Sequence, residues 1–530
     1  MFNFGGVATG DHVEYIFRNF EVRGNPWTGP RSVDGVTRGT FGFGTGQKEI
    51  LFLNVDVWGN DGFVYSSGDA ELIMSHCYYN GLRSSESCIQ PFGNTRLRFF
   101  DNEVYDNGPP IHLAPDGKGR GRTIYFNNLQ RNYVAFNRFV NNEGHTIQYF
   151  TSGADTPEEN APPKEQIFMG NSFIMDNGST SGIGIYSGRA SNNLKSIGDN
   201  FISVNGSRQT AINTAGGMTI ANAVFEKGNI SNTFSVGTNN VFRDTNEAKV
   251  VYRDCRFNSS GVDLYSLTSN GVAFESDFVN CYFYRDTTSN YQIRTIAGSS
   301  NPMVQHKANF KDCSFEGQTL TGQSGFRFAP RIHFFETGNY VHIKHDGSEF
   351  NQNSNPNTGL VVLANTIRDS VTLEFVNCSS RYDSVYIEIS DSISTLIGKN
   401  NKFKRLIIDW NNQSVNLANN KHGWEFGEGL SPDTLTAASL LDNFGSFGYN
   451  EFIVTGTTSI DRIFFSSSRE NHEGRVIKGN FTLYFQDALT LNTGGNIDIT
   501  APKVVAANTA IHFYYNNITK KAEIRETSTP

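Results

Sequence analysis

The sequence predicts an all-β chain, a solenoid of stacked parallel coils followed by a small C-terminal β-domain. Three observations predict it. A triplet returns along most of the chain, in which an inward-type residue is followed by a variable one and then by a large apolar one. Apolar residues alternate over four to seven positions and then break at Asn-Gly, Asp-Gly or Ser-Gly, the pattern of strands and turns. The 43 Phe and 21 Tyr against 18% charged residues describe many core-filling rings under a polar, weakly charged surface.

The triplet reads Phe20-Glu21-Val22, Val55-Asp56-Val57, Cys77-Tyr78-Tyr79, Asn102-Glu103-Val104, Asn137-Arg138-Phe139, Asn171-Ser172-Phe173 and Asn200-Phe201-Ile202. It continues as Cys255-Arg256-Phe257, Cys281-Tyr282-Phe283, Cys313-Ser314-Phe315, Ser348-Glu349-Phe350, Cys378-Ser379-Ser380 and Asn401-Lys402-Phe403. Its first positions recur every 22 to 35 residues, except for one step of 55 that spans about two ordinary ones and predicts a hidden coil. A fluctuating period of this size means one supersecondary unit repeated, with loops leaving it. An antiparallel meander would not hold Cys or Asn at one place beside Phe through a dozen repeats, whereas vertical stacking does. At ~4.8 Å per coil, fourteen coils would make a rod roughly 65 Å long.

The succession of Asn-x-Phe and Cys-x-Phe triplets followed by Asn-Gly resembles right-handed parallel β-helix proteins of the pectin-lyase-like superfold, over about residues 10–425. The resemblance implies the architecture and leaves the chemistry open, because that superfold hosts lyases, hydrolases, adhesins and viral spikes. Within a β-helix, residues 1–425, three excursions at 24–48, 108–123 and 151–164 are long enough to build a groove wall. Past Trp424 the repeat stops. Residues 426–450 read as a linker in which 434–441 is the one candidate helix, and 451–530 read as a separate β-domain. The strand Ala510-Ile511-His512-Phe513-Tyr514-Tyr515-Asn516-Asn517 near the end resembles the C-terminal β-domains of bacteriophage tail spikes and fibres, which implies a homotrimer.

Bulk properties exclude several classes. A formal charge of −8 gives no sequence-independent grip on nucleic acid or anionic lipid. Five of six cysteines, Cys77, Cys255, Cys281, Cys313 and Cys378, sit first in the triplet, which marks them as small buried side chains rather than disulfides or metal ligands; Cys88 lies outside the pattern. No basic-then-apolar leader and no spanning-length apolar run is present, so neither export nor membrane insertion is expected. Phosphate loops and nucleophile elbows are absent, and no cofactor is expected.

If the first and third triplet residues point inward, the middle one and those two before and after it point out. That places Glu21, Asp56, His76, Asp101 and Glu103 on one sheet beside Trp58, Tyr78 and Tyr105, with Arg23 and Arg138 at the margins. Aromatic faces cover the apolar side of pyranose rings, while carboxylates and amides address hydroxyls. Asp56 and Glu103, two coils apart and ~9.6 Å between backbones, are the candidate acid and base of a glycoside hydrolase that activates water. Asp101 and His76 would tune them, with His76 lying between the two. Glu21, Arg23, Trp58, Tyr78, Tyr105 and Arg138 are candidate substrate contacts. A solvated acidic face, and aromatics covered by a loop or subunit, are the competing readings. Two outward histidines in His342-Ile343-Lys344-His345-Asp346 lack a third metal ligand in register and read as structural.

The expected function is that of a phage tail spike or virion receptor-binding protein, made in the host cytoplasm, seated with other tail proteins and engaging a bacterial surface polysaccharide. Whether it also depolymerises that glycan is left open, with a hydrolase ahead of a lyase; a lyase would draw on Arg138, Tyr78 and His76. A free-standing secreted polysaccharide lyase or hydrolase and a non-enzymatic β-helix adhesin are the alternatives.

Overall fold

The chain is seen in a computed structural model. It describes residues 2–4, 11–24, 40–59, 62–66, 68–82, 88–107, 122–128, 130–142, 144–149, 165–176, 181–187, 194–204, 208–214, 218–227, 234–238, 248–258, 262–266, 274–285, 291–297, 305–317, 331–335, 340–352, 360–364, 371–380, 385–388, 395–402, 406–409, 423–425, 433–441, 451–463, 477–516, 519 and 521–528. These form two compact units, 1–284 with 294–304, and 285–293 with 305–530. No helix occurs among the described residues, and long parallel ladders give the fold of a parallel β-helix.

In the first unit each coil contributes two strand segments meeting at a corner and a third strand on a separate sheet. The first two coils run through the corner as His12–Arg23 and Gln47–Trp58; later coils divide there, as in Ala70–Ser75 and Tyr78–Asn80. The third strands, among them Phe41–Phe43, Val64–Ser66, Ile89–Gly93, Arg122–Asn128 and Gly144–Tyr149, also pair in parallel. The triplet is the register mark. Glu21 pairs with Asp56, Asp56 with Tyr78, Tyr78 with Glu103, Glu103 with Arg138, Arg138 with Ser172, and Ser172 with Asn200.

That register corrects one triplet and finds the missing coil. Asn200 occupies the middle place, so the unit is Asp199-Asn200-Phe201, and the hidden coil is Ala223-Val224-Phe225. Among the described residues the first and third places are buried from Val55 and Val57 onward, except for Ser380, which is half-buried. The third residues make a ring stack, with centroids 5.0 Å apart for Phe139 and Phe173, 4.9 Å for Phe173 and Phe201, 5.1 Å for Phe201 and Phe225, and 4.6 Å for Phe225 and Phe257. Offset stacking of this kind adds to the area that each ring removes from water.

The first residues make an amide ladder. Asn102 donates its backbone N–H (2.9 Å) and side-chain amide (3.0 Å) to Asn137 Oδ1, and Asn137 repeats the pair of bonds to Asn171 at 3.1 and 2.9 Å. Each amide also reaches a carbonyl, Met74 for Asn102, Phe99 for Asn137 and Val134 for Asn171. Asp199 ends the ladder, accepting two bonds from Asn171 and one from Ser196. All six cysteines are buried and none is joined in a disulfide, Cys88 included.

Immediately before each triplet the backbone turns through the left-handed region. Asn19, Asn54, His76, Asp101, Phe136, Gly170, Gly198, Asn222, Asp254 and Asn280 hold this corner in the first unit, with φ between 52° and 66°. In the second unit Asp312, Gly347, Asn377 and Asn400 do so. Short polar side chains tolerate this conformation through local hydrogen bonding. They also bond along the column, as Asn54 Nδ2 to Asn19 Oδ1 at 2.9 Å and Asn400 Nδ2 to Asn377 Oδ1 at 2.8 Å.

The second unit repeats the same design and then leaves it. His345 faces inward, not outward as the alternation suggested. It takes the ring position held by Phe310 before it and Phe375 after it, at centroid distances of 4.8 and 5.2 Å. His342 does face out, 3.4 Å from Glu374. The candidate helix at 434–441 is instead two short strands, Asp433–Thr436 and Leu440–Leu441, paired in parallel with Glu451–Thr455 and Arg462–Ile463. Among the described residues pairing first turns antiparallel at Ile477–Phe485 with Thr509–Asn516; Leu489–Leu491 with Lys503–Val505 and Thr509–Asn516 with Lys521–Ser528 are antiparallel too. The excursions at 24–48, 108–123 and 151–164 lie mostly outside the described residues, as do Phe403 and Asn517.

Candidate functional site

Two outward columns run side by side in the first unit, just beyond the corner. One carries Glu21, Asp56, Tyr78, Glu103 and Arg138; the other carries Arg23, Trp58, Asn80 and Tyr105 and ends at Val140, which is buried. The residues come together because strand pairing fixes one coil against the next while alternation sends every second side chain outward.

The aromatics form one row across the two columns. The Trp58 and Tyr78 rings lie 4.8 Å apart and the Tyr78 and Tyr105 rings 5.5 Å apart, and the Arg138 guanidinium lies 5.4 Å from the Tyr105 centroid. From Trp58 to Arg138 the row crosses three coil steps, about 14 Å. Trp58 is 39% exposed, so the row is open at its surface. Polar groups fix the rings: Asn80 donates to the Tyr78 hydroxyl at 2.9 Å, Arg138 donates to the Tyr105 hydroxyl, and that hydroxyl donates to Glu103 Oε2 at 3.0 Å. Burial and the neighbouring Glu103 push the Tyr105 pKa up, against the opposing pull of Arg138.

The carboxylates are differently engaged. Glu21 accepts from Arg23 Nε at 2.5 Å, Glu103 is held by Tyr105, and Asp56 is exposed with no hydrogen bond or ion pair to any described residue. Asp56 and Glu103 stand two register steps apart as the sequence suggests, but the residue between them is Tyr78. His76 does not lie between them. It stands at the corner, one column away, with Asp101, because the left-handed residue takes the chain around a bend that simple alternation cannot represent. His76 Nδ1 lies 2.6 Å from Ser75 Oγ.

Two features lie outside the site residues expected from the sequence, although alternation already sends the first of them outward. Phe136 occupies the same corner column, 57% exposed and two residues before Arg138. A polar cluster on the third-strand sheet joins Arg122, which lies 4.3 Å from the Tyr125 centroid, to His145, which stacks on Tyr186 at 4.5 Å with Nδ1 2.7 Å from Gln148 Oε1. Burial holds the His145 pKa down to about 4 and so keeps its imidazole neutral. The signal was the register Tyr125, Gln148, Tyr186, Asn213, an alternation of rings and amides at one place in successive coils. Among the described residues no three His, Cys, Asp or Glu side chains converge as metal ligands would.

No protein-family model, no curated protein and no solved structure matches the chain.

Proposed function

We propose that this chain is a receptor-binding protein of the tail-spike kind, which uses the outward columns near its first coils to hold a bacterial surface polysaccharide. The observation that carries the reading is the open row Trp58, Tyr78, Tyr105 and Arg138, with carboxylates and amides on its flanks. Rings spaced by the coil repeat suit successive pyranose faces, and Asp56, Asn80 and Glu103 offer partners to hydroxyls along the same line. The glycan would lie along the coil-stacking direction. A homotrimer on a phage tail is part of this reading, to be checked by light scattering. The test is binding to immobilised capsular polysaccharides and lipopolysaccharide O-chains: Trp58→Ala should weaken capture by about tenfold, and capture that is absent, or indifferent to that change, would overturn the reading.

Cleavage of the same glycan is a second reading, carried by the two-coil spacing of Asp56 and Glu103. Their backbones stand ~9.6 Å apart, which suits a carboxylate pair activating water more than one forming a covalent intermediate. Asp56→Asn and Glu103→Gln should each abolish release of reducing ends while keeping most of the capture, because each amide still bonds to hydroxyls. Cleavage surviving both changes removes the pair from consideration and leaves an adhesin.

A further inference from the structure

Every described non-glycine residue at positive φ is Asn, Asp or His, except Phe136 with φ 58°. Asparagine and aspartate accept this conformation because their short side chains bond to nearby backbone; a phenyl ring gains nothing there, and the conformation costs roughly 1–2 kcal/mol. The coils around it show what the corner takes without that cost: Asp101 before it, Gly170 and Gly198 after it, Asn222 beyond. Burial does not explain the exception, since the ring is 57% exposed.

Nor is the ring loosely placed. Its Cδ1 would stand 2.8 Å from a Cβ at Gly170, so the next coil leaves room for it only by carrying glycine at the position where the ring rests. One side is thereby braced against backbone and the other is open. Phe136 N–H is fixed by Met169 O at 2.8 Å, and Arg138, two residues on, leads directly to the Tyr105 end of the aromatic row. Strain held at an exposed position by the surrounding coils points to function.

We infer that Phe136 is a sugar-stacking platform at the edge of the glycan site, its open face taking the apolar side of a pyranose ring whose polar substituents reach the Arg138 guanidinium. The inference rests on the polysaccharide-binding reading above and adds a subsite around the corner from it. It also gives the strained backbone a use: only a left-handed corner residue stands at the bend, where a ring is presented beyond the plane of the two columns.

Phe136→Asn separates this role from a structural one, because asparagine is native to the corner. The variant should melt at the same temperature as the unaltered chain or higher, while capture by immobilised capsular polysaccharide or lipopolysaccharide O-chains weakens about tenfold; Phe136→Tyr should restore capture. A lower melting temperature for Phe136→Asn would mark the ring as a structural prop and overturn the inference. Unchanged capture by Phe136→Asn, with Trp58→Ala impaired, would overturn the inference and leave the wider reading standing. Failure of the unaltered chain to bind any of these surfaces would overturn both.

Discussion

Replacing Asp199 by asparagine should stabilise the first unit at neutral pH. Asp199 is fully buried, and burial lifts its pKa from 3.8 to about 6 even though Ser196 Oγ (2.5 Å) and the Asn171 backbone and side-chain amides (2.7 and 2.9 Å) all donate to it. Above pH 6 the carboxylate is charged in both folded and unfolded chains, and the folded chain bears the cost of burying it. As pH falls through 6 the folded state takes up the proton first, so stability rises until about pH 4, where the unfolded chain is protonated as well. A rise of about two units corresponds to about 3 kcal/mol. Asparagine removes the charge and keeps an oxygen for the two Asn171 donors. Its new amide faces a hydroxyl able to accept, and by register the Phe168 carbonyl stands where Val134 holds the amide of Asn171. Urea denaturation from pH 4 to pH 8 should therefore show Asp199→Asn ahead by up to about 3 kcal/mol at pH 8, with the gain gone by pH 4. Equal or lower stability at pH 8 would refute the reasoning, since the three hydrogen bonds to the charge would then outweigh its desolvation.

Other outcomes follow from the same geometry. His145, with its pKa held down to about 4, makes the opposite contribution: stability present above pH 6.5 is lost as pH falls toward 4, and His145→Phe should flatten that acid limb in urea titrations. Because the Asp199 and His145 responses oppose each other, Asp199→Asn alone should make the chain more acid-sensitive than the unaltered one. Asn137→Ala removes the acceptor shared by both Asn102 donors, and a loss of about 3 kcal/mol is expected in chemical denaturation. Gly170→Ala places a Cβ against the Phe136 ring at φ 64° and should cost about 2 kcal/mol. In a double-mutant cycle Phe136→Asn should recover the part due to the ring and leave the part due to φ.

The architecture was legible because stacking repeats chemistry: a Cys or Asn beside a Phe returns whenever the chain comes round to the same place. Where the first residue was nondescript, as in Ala223-Val224-Phe225, only spacing betrayed the coil. At Asp199-Asn200-Phe201 the neighbouring amide drew the frame one place too far, since Asp and Asn serve equally as acceptors at the foot of the ladder. His345 was misjudged because a polar ring can hold a phenyl position when its neighbours are rings on both sides. In the candidate site the columns were readable from alternation, but the contacts between Trp58, Tyr78 and Tyr105 depend on how side chains lean across columns. The corner itself was hidden: one residue at positive φ displaces His76 and Asp101 from the line of Asp56 and Glu103, and alternation takes no account of φ.

The corner column also bears on how such a chain changes length over generations. From Asn102 to Asp199 successive coils present a left-handed corner, a first-place acceptor and a buried apolar third residue to their neighbours, so the joints between these coils are alike. Excising residues 171–198 would set Asp199 directly after Gly170, where Asn137 would offer it the two donors that Asn171 offers now. Recombination between corner codons could thus add or remove such coils without opening the core, altering the distance from the outward columns to Ala223 while leaving those columns intact.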